Sequence, residues 1–128
     1  MIKVITANEL EFKLYEPRMR KLYEESKDKI TDTSSFGFIL KNTLFYCFVN
    51  DGRLIGAIYF FIDKDKLFLN AYAERGYLAD KIECVKMSLG WFKCDIYAEA
   101  QNRASALCLL RSGFRRVEGK LFVYKQQK

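Results

Sequence analysis

The chemistry open to this chain is limited first by what it lacks. There is no histidine among its 128 residues, so neither a Ser-His-Asp relay nor a Cys-His pair is available. A general base must be a carboxylate, Tyr, Lys, Cys or water. The four cysteines, Cys47, Cys84, Cys94 and Cys108, stand in apolar surroundings without Cys-x-x-Cys spacing. They read as structural thiols, and no metal is expected. Two stretches carry residue types that commonly meet ligands. Arg75-Gly76 follows the run LFLNAYAE and precedes a helical pattern, and Asn102 opens a short helical run that closes on Gly113-Phe114. Asn caps a helix start, Gly supplies the left-handed residue at a helix end, and Phe packs the strand that follows.

The net charge of +6, with pI near 9.1, favours anionic partners without the density of a dedicated nucleic-acid binder. A phosphate-rich cofactor, an acidic protein and a solvated basic surface all satisfy it. The hairpin FRRVEGKLFVYK would suit bases stacked on its rings between Arg and Lys phosphate contacts. Core-facing aromatics alternating with surface charges account for the same letters, so nucleic acid is not expected as a partner. No apolar run approaches the roughly 20 residues of a bilayer span. The N-terminus lacks the pattern of a secretory signal, so the expected location is cytoplasmic, with no membrane partner.

These residues must be positioned by one domain covering 1–128, since no repeat, low-complexity tract or linker divides the chain. Half of the residues are hydrophobic and 16% are aromatic, enough apolar area for a core at this size. Residues 2–6 read as a strand. From Asn8 to about Lys29, Leu10, Leu14 and Leu22 fall at helical spacing with Asn8 as a possible N-cap, and Pro17 should kink that run or split it in two. The stretch from Thr31 to Asn42 reads as a flexible loop that leaves Phe36, Phe38 and Ile39 to face a partner.

LFYCFVN, the Asp51-Gly52 turn and LIGAIYFFI form a hairpin signal, and DKDK leads into a further strand, LFLNAYA. Leu78, Ile82, Val85 and Leu89 make the stripe of a helix ending near Gly90. CDIYAEA is a strand, Asn102 to Gly113 a helix, and the last dozen residues a hairpin turning near Gly119. The order β-αα-βββ-α-β-α-ββ predicts a mixed α+β fold, a mostly antiparallel central sheet flanked by about four helices.

With that order in place, the segment from Asn102 to Gly113-Phe114 resembles the corresponding motif of the GNAT (Gcn5-related N-acetyltransferase) superfamily, in which an Asn, a short helix near the cofactor and a Gly-Phe recur at this spacing. The turn Arg75-Gly76-Tyr77-Leu78-Ala79-Asp80 is similar to the family's pyrophosphate loop, where backbone N–H groups cradle phosphate at a helix N-terminus. The resemblance implies acetyl-CoA as cosubstrate, held at Leu69, Asn70, Ala71, Arg75, Gly76, Tyr77 and Asn102. It implies direct attack of a neutral amine on the thioester, with the carbonyl polarised by backbone N–H near Asn70 and Ala71. Glu99 is the implied base and Glu74 the next candidate.

Three departures from the family pattern stand beside the match. Leu78 and Asp80 occupy places where the family has small residues, and the helix after the loop is short. Leu109 stands where many members have a Tyr that protonates the leaving thiolate; Tyr72, Cys108 and Tyr124 are the neighbours that could replace it. Two readings follow. One is an acetyl-CoA-dependent N-acyltransferase acting on a small-molecule or peptide amine. The other is an inactive GNAT-like module for protein assembly, as in small phage virion-associated proteins, with a protein partner or a second copy of itself. Glu99, Glu74 and Tyr72 also have plain structural readings, as strand-end charges and a half-buried sheet residue.

Overall fold

The computed structural model describes residues 1–27, 34–76 and 78–126. In chain order the elements are β1 (Ile2–Thr6), α1 (Phe12–Ser26), α2 (Phe36–Asn42), β2 (Leu44–Asn50), β3 (Arg53–Asp63), β4 (Lys66–Ala73), α3 (Leu78–Leu89), β5 (Ile96–Glu99), α4 (Arg103–Arg111), β6 (Arg115–Glu118) and β7 (Leu121–Tyr124). The strands form one sheet in the order β1-β2-β3-β4-β5-β7-β6. Every pairing is antiparallel except β4 with β5, because α3 carries the chain across the sheet before β5 begins. The expected α+β architecture is the observed one. No helix among the described residues is long and apolar enough to cross a membrane.

The two hairpins joining β2 to β4 turn where the sequence places polar residues that tolerate positive φ. Asp51 and Gly52 adopt φ of 51° and 79°, and Lys64 and Asp65 adopt 51° and 66°, the two left-handed positions of a two-residue turn that matches strand twist. Alternation along the strands then feeds two cores. On one face α1 and α2 bury Phe12, Met19, Tyr23, Phe36 and Ile39 against Phe45, Tyr59 and Tyr72. On the other, Cys84, Val85 and Leu89 of α3 and Leu109 of α4 pack on Phe60, Leu69, Ile96 and Phe122.

The first helical segment differs from the expectation drawn from spacing. It is one helix, starting at Phe12, with Pro17 inside it. Asn8 does not cap it; Glu9 instead accepts the Thr6 N–H at 2.5 Å, and a turn of short-range backbone bonds leads in. Leu10 and Leu14 are 81% and 76% exposed, and the buried stripe is Phe12, Met19, Leu22 and Tyr23. Proline within a helix costs about 3 kcal/mol. Three large side chains buried beyond it return about 1.5–3 kcal/mol each, so the helix continues.

The second helix comes from the stretch expected to be a loop, whose residues 31–33 lie outside the described residues. Ser35 caps α2 by accepting the Phe38 N–H at 3.1 Å. Phe36 and Ile39 are core residues, and only Phe38, 55% exposed, faces out. Aromatic burial overrides the weak helix propensity of Ser, Gly and Phe. Cys94 also departs from the expectation: it is exposed, while Cys47 and Cys84 are buried and Cys108 is half-buried.

One irregularity in the sheet sets up everything that follows. β4 and β5 pair only at Leu67 with Ile96 and Phe68 with Tyr97. From there β4 stays beside β3 as far as Ala73, while β5 pairs along its whole length with β7. The two parallel neighbours therefore part, and the sheet opens in the middle.

Candidate functional site

The opening between β4 and β5 continues into a cleft of about 660 Å³ that runs under the start of α3 and along α4. The volume falls in the range of small-molecule sites, roughly 300–1,000 Å³. Leu69, Asn70, Ala71, Tyr72, Glu74, Arg75, Gly76, Glu99 and Asn102 all line it, so the fold brings the sequence-predicted residues together. Tyr77 lies outside the described residues.

Their side chains do different things. Leu69 and Ala71 face the α3–α4 side, where they join that core. Tyr72 turns its ring into the other core, 5.5 Å from the Tyr23 ring, and donates its hydroxyl to the Met19 carbonyl at 3.2 Å. Burial pushes its phenol pKa up, so the proton is held tightly and directed away from the cleft. Glu74 is tied down as well: Arg18 donates Nε and Nη2 to its two carboxylate oxygens, each at 2.6 Å. The guanidinium holds the Glu74 carboxyl below the usual carboxylate range, and this bidentate pair fastens α1 to the end of β4. A carboxylate so engaged is a weak proton acceptor.

Glu99 is differently placed. It is exposed at the end of β5. Phe68 and Tyr97 are the last registered pair, so two residues further on Asn70 and Glu99 stand on either side of the opening.

Asn102 caps α4, accepting the Ser105 N–H at 2.8 Å. At the far end of α4 Gly113 has φ +104°, and a Cβ there would come within 3.1 Å of the Tyr124 ring. Phe114 is buried beyond it. Leu109 is buried on the cleft wall and offers no proton. Of the three neighbours named in its place, Tyr124 lies with its ring tilted against that of Phe114 at 5.8 Å and is not part of the cleft lining. Cys108 does line the cleft, its thiol pKa raised by burial and drawn partly back by a hydrogen bond with Ser112 and by the charge of Lys81.

Sequence reasoning missed two residues of the site, Lys81 and Arg103. Both line the cleft with Arg75, and among the described residues none of the three is paired with a carboxylate. Burial lowers the pKa of Lys81, the sign of an ammonium partly withdrawn from water. The available signals were positional: Arg103 directly follows the cap, and Lys81 stands in the first turn of α3. Asp80, expected to repel phosphate there, turns its carboxylate to the Asn50 amide at 3.3 Å. It borders a separate hollow of about 80 Å³ at the β2–β3 turn rather than the cleft.

The chain as a whole superposes on solved structures of N-acetyltransferases. One from Staphylococcus aureus Mu50 superposes with a TM-score of 0.69 over 98% of this chain and 96% of that one, at 11% identity. The chain has the GNAT fold. An aminoglycoside acetyltransferase crystallised with coenzyme A shares it at TM-score 0.66 and 14% identity, over 99% of this chain and 95% of that one. A ribosomal-protein-S5-alanine acetyltransferase from Vibrio fischeri does so at 0.66 and 11%, over 98% and 92%. No protein-family model matches the sequence, and no curated protein does. Among the described residues no group of three or more His, Cys, Asp or Glu is placed to hold a metal ion.

Proposed function

We propose that this chain binds an acyl-coenzyme A, acetyl-CoA in the first instance, and transfers the acyl group to an amine. The observation that carries the reading is the cleft itself. It opens where β4 and β5 part, and it sets Arg75, Lys81 and Arg103 in its wall without carboxylate partners among the described residues. Glu74 is neutralised by Arg18, so the cleft favours a polyanion at its helical end. Similar proteins of this fold have been crystallised with coenzyme A.

In this reading the phosphates lie against Arg75, Lys81 and Arg103 and the pantetheine arm enters between the strands. The edge of β4 past Phe68 lacks a strand partner on the β5 side, which leaves backbone N–H near Asn70 and Ala71 to polarise the thioester carbonyl. The acceptor nitrogen attacks that carbon, the C–S bond breaks, and the ammonium proton passes to Glu99 directly or through water. The coenzyme leaves as thiolate and is protonated by water, since Leu109 cannot serve and burial holds the proton on Cys108. The chain would act in the cytoplasm.

A second reading is a GNAT-like module without catalysis, serving protein assembly, for example in a phage virion, through a protein partner or a second copy of itself. Leu78 on the cleft wall and Leu109 on its inner side favour it.

Melting temperature against acetyl-CoA separates the two. At one hundred times its dissociation constant a ligand adds roughly 2.7 kcal/mol of stability, so a clear upward shift is expected. An unchanged melting temperature at millimolar acetyl-CoA would overturn the acyltransferase reading in favour of the assembly module.

A further inference from the structure

The acceptor side of the opening has a chemistry of its own. On this face of the sheet α1 and α2 pack over β2, β3 and β4, and a row of rings continues beyond them. Phe61 of β3 stacks on Phe68 of β4 at 5.7 Å, and Phe68 meets Tyr97 of β5 at 5.9 Å. All three remain half-buried. Tyr59 flanks the row at 6.3 Å from Phe61, and its hydroxyl accepts from the Asn70 amide at 3.3 Å.

Strand alternation places Glu99 on this face too. Ile96 and Ala98 belong to the opposite core, and Tyr97 lies against Phe68, so Tyr97 and Glu99 share the face with Phe68 and Asn70. The result is a cup: Phe68 and Tyr97 form its floor, while Asn70 and Glu99 stand at its rim where the strands separate. From floor to rim is two residues, about 7 Å along a strand.

We infer that this cup seats the acceptor, and that the acceptor is a monoamine carried on an aromatic or flat apolar body, the body lying on Phe68 and Tyr97 and the nitrogen at Glu99. The inference rests on the acyl-transfer reading of the adjoining cleft. Charge narrows the class. Glu99 is a carboxylate at the rim, but the Lys66 ammonium stands 5.6 Å from the Tyr97 ring. Arg115 is in register with Val123, which is in register with Tyr97, so a second cation borders the floor. Glu118 is in register with Leu121, which is in register with Glu99, so a second carboxylate borders the rim. The rim is acidic and the floor basic, and a second ammonium on the body would meet Lys66 and Arg115. A single ammonium attached to a ring finds both its counter-charge and its stacking surface.

The test is equilibrium binding, which needs no turnover. 2-Phenylethylamine, butylamine and spermidine are titrated by calorimetry into the full chain with and without coenzyme A. Stacking on the floor predicts that phenylethylamine binds about tenfold tighter than butylamine, the size of a favourable ring pair, and tighter than spermidine. Phe68→Leu and Tyr97→Leu keep apolar volume on the sheet, so both fold, as their melting curves will show. Each should cut the margin to about threefold or less. Equal binding of phenylethylamine and butylamine, a preference for spermidine, or a margin untouched in both Leu variants overturns the inference. A preserved margin in a chain whose melting temperature ignores coenzyme A retains the amine seat and removes the acyl-transfer reading. A coenzyme A shift without the margin does the reverse.

Discussion

The two helix starts that border the cleft differ in how much of their structure the local sequence sets. At α4 the local grammar is complete: Asn102 caps, Gly113 takes the left-handed turn, and Phe114 is buried. At α3 it is not. Leu78 and Asp80 stand where the resemblance implies small residues, and Arg75 and Lys81 line the cleft on that side. Residues that fold the chain are kept by the cost of unfolding, about 1 kcal/mol for a cap. Residues that only meet a ligand can be exchanged for others of equivalent charge. On our reading, the α3 end has replaced a backbone cradle with side-chain cations.

The largest expected effect tests whether the whole opening is catalytic. Glu99→Gln should lower kcat for acyl transfer by about a hundredfold or more, the usual worth of a positioned base, without changing the melting shift given by acetyl-CoA. Unchanged turnover would move the base elsewhere and leave the α3–α4 contrast a matter of binding alone. Next in size is Lys81→Gln. If cations have replaced the cradle, its affinity for acetyl-CoA should fall about tenfold and the salt dependence of binding should weaken, since a charge-assisted phosphate contact contributes about 1.5 kcal/mol. The same variant should bind a pantetheine lacking phosphate as well as the parent does. Asn102→Ala tests the other end: about 1 kcal/mol of stability lost in denaturant titration, with acetyl-CoA affinity changed far less than by Lys81→Gln.

What could be read from letters follows the same division. Turns and caps act through their own few residues, so Asp51-Gly52, Asn102 and Gly113 announced the hairpin and α4 correctly. α2 did not, because Ser35 and Phe36–Asn42 become helical only when Phe36 and Ile39 have Tyr23 and Phe45 to pack against. Of the two outcomes expected at Pro17, the split does not occur for a similar reason, its local cost being outweighed by burial that only the fold supplies. At the site, strand order placed β4, β5 and the residues between them, so the lining residues could be named. Pairings across space could not: Arg18 with Glu74 spans 56 positions and Tyr72 with Met19 spans 53, and these contacts occupy two of the three side chains first considered for catalysis. Lys81 lies off the apolar stripe of α3, and nothing in the helix period shows that it lines a cleft shared with α4.

A smaller effect bears on the α3 turn itself. Asp80→Ala removes a negative charge adjacent in sequence to Lys81, outside the cleft lining, and also a favourable charge in the first turn of α3. Acetyl-CoA should bind about twofold tighter, corresponding to ~0.5 kcal/mol of relieved repulsion near water, while stability falls by roughly 0.3–1 kcal/mol. Opposite signs in the two measurements would show folding and ligand binding competing at one residue, which the α4 end avoids. Equal signs would erase the contrast.

The smallest effect concerns the ion pair that removes Glu74 from the cleft. Arg18 depresses the Glu74 pKa in the folded chain, so the pair stabilises above the unfolded carboxylate range, near pH 4.3, and its contribution is lost as pH falls through the lower folded value. Arg18 is substantially exposed, and solvent screening keeps that contribution small. Glu74→Gln should therefore melt slightly lower than the parent at neutral pH and converge on it in acid, as the pH falls below the depressed folded value. Its acyl-transfer rate should be close to the parent's, in contrast to Glu99→Gln. A hundredfold loss of rate in Glu74→Gln would mean that Arg18 releases the carboxylate when substrate binds, and would exchange the roles of the two glutamates.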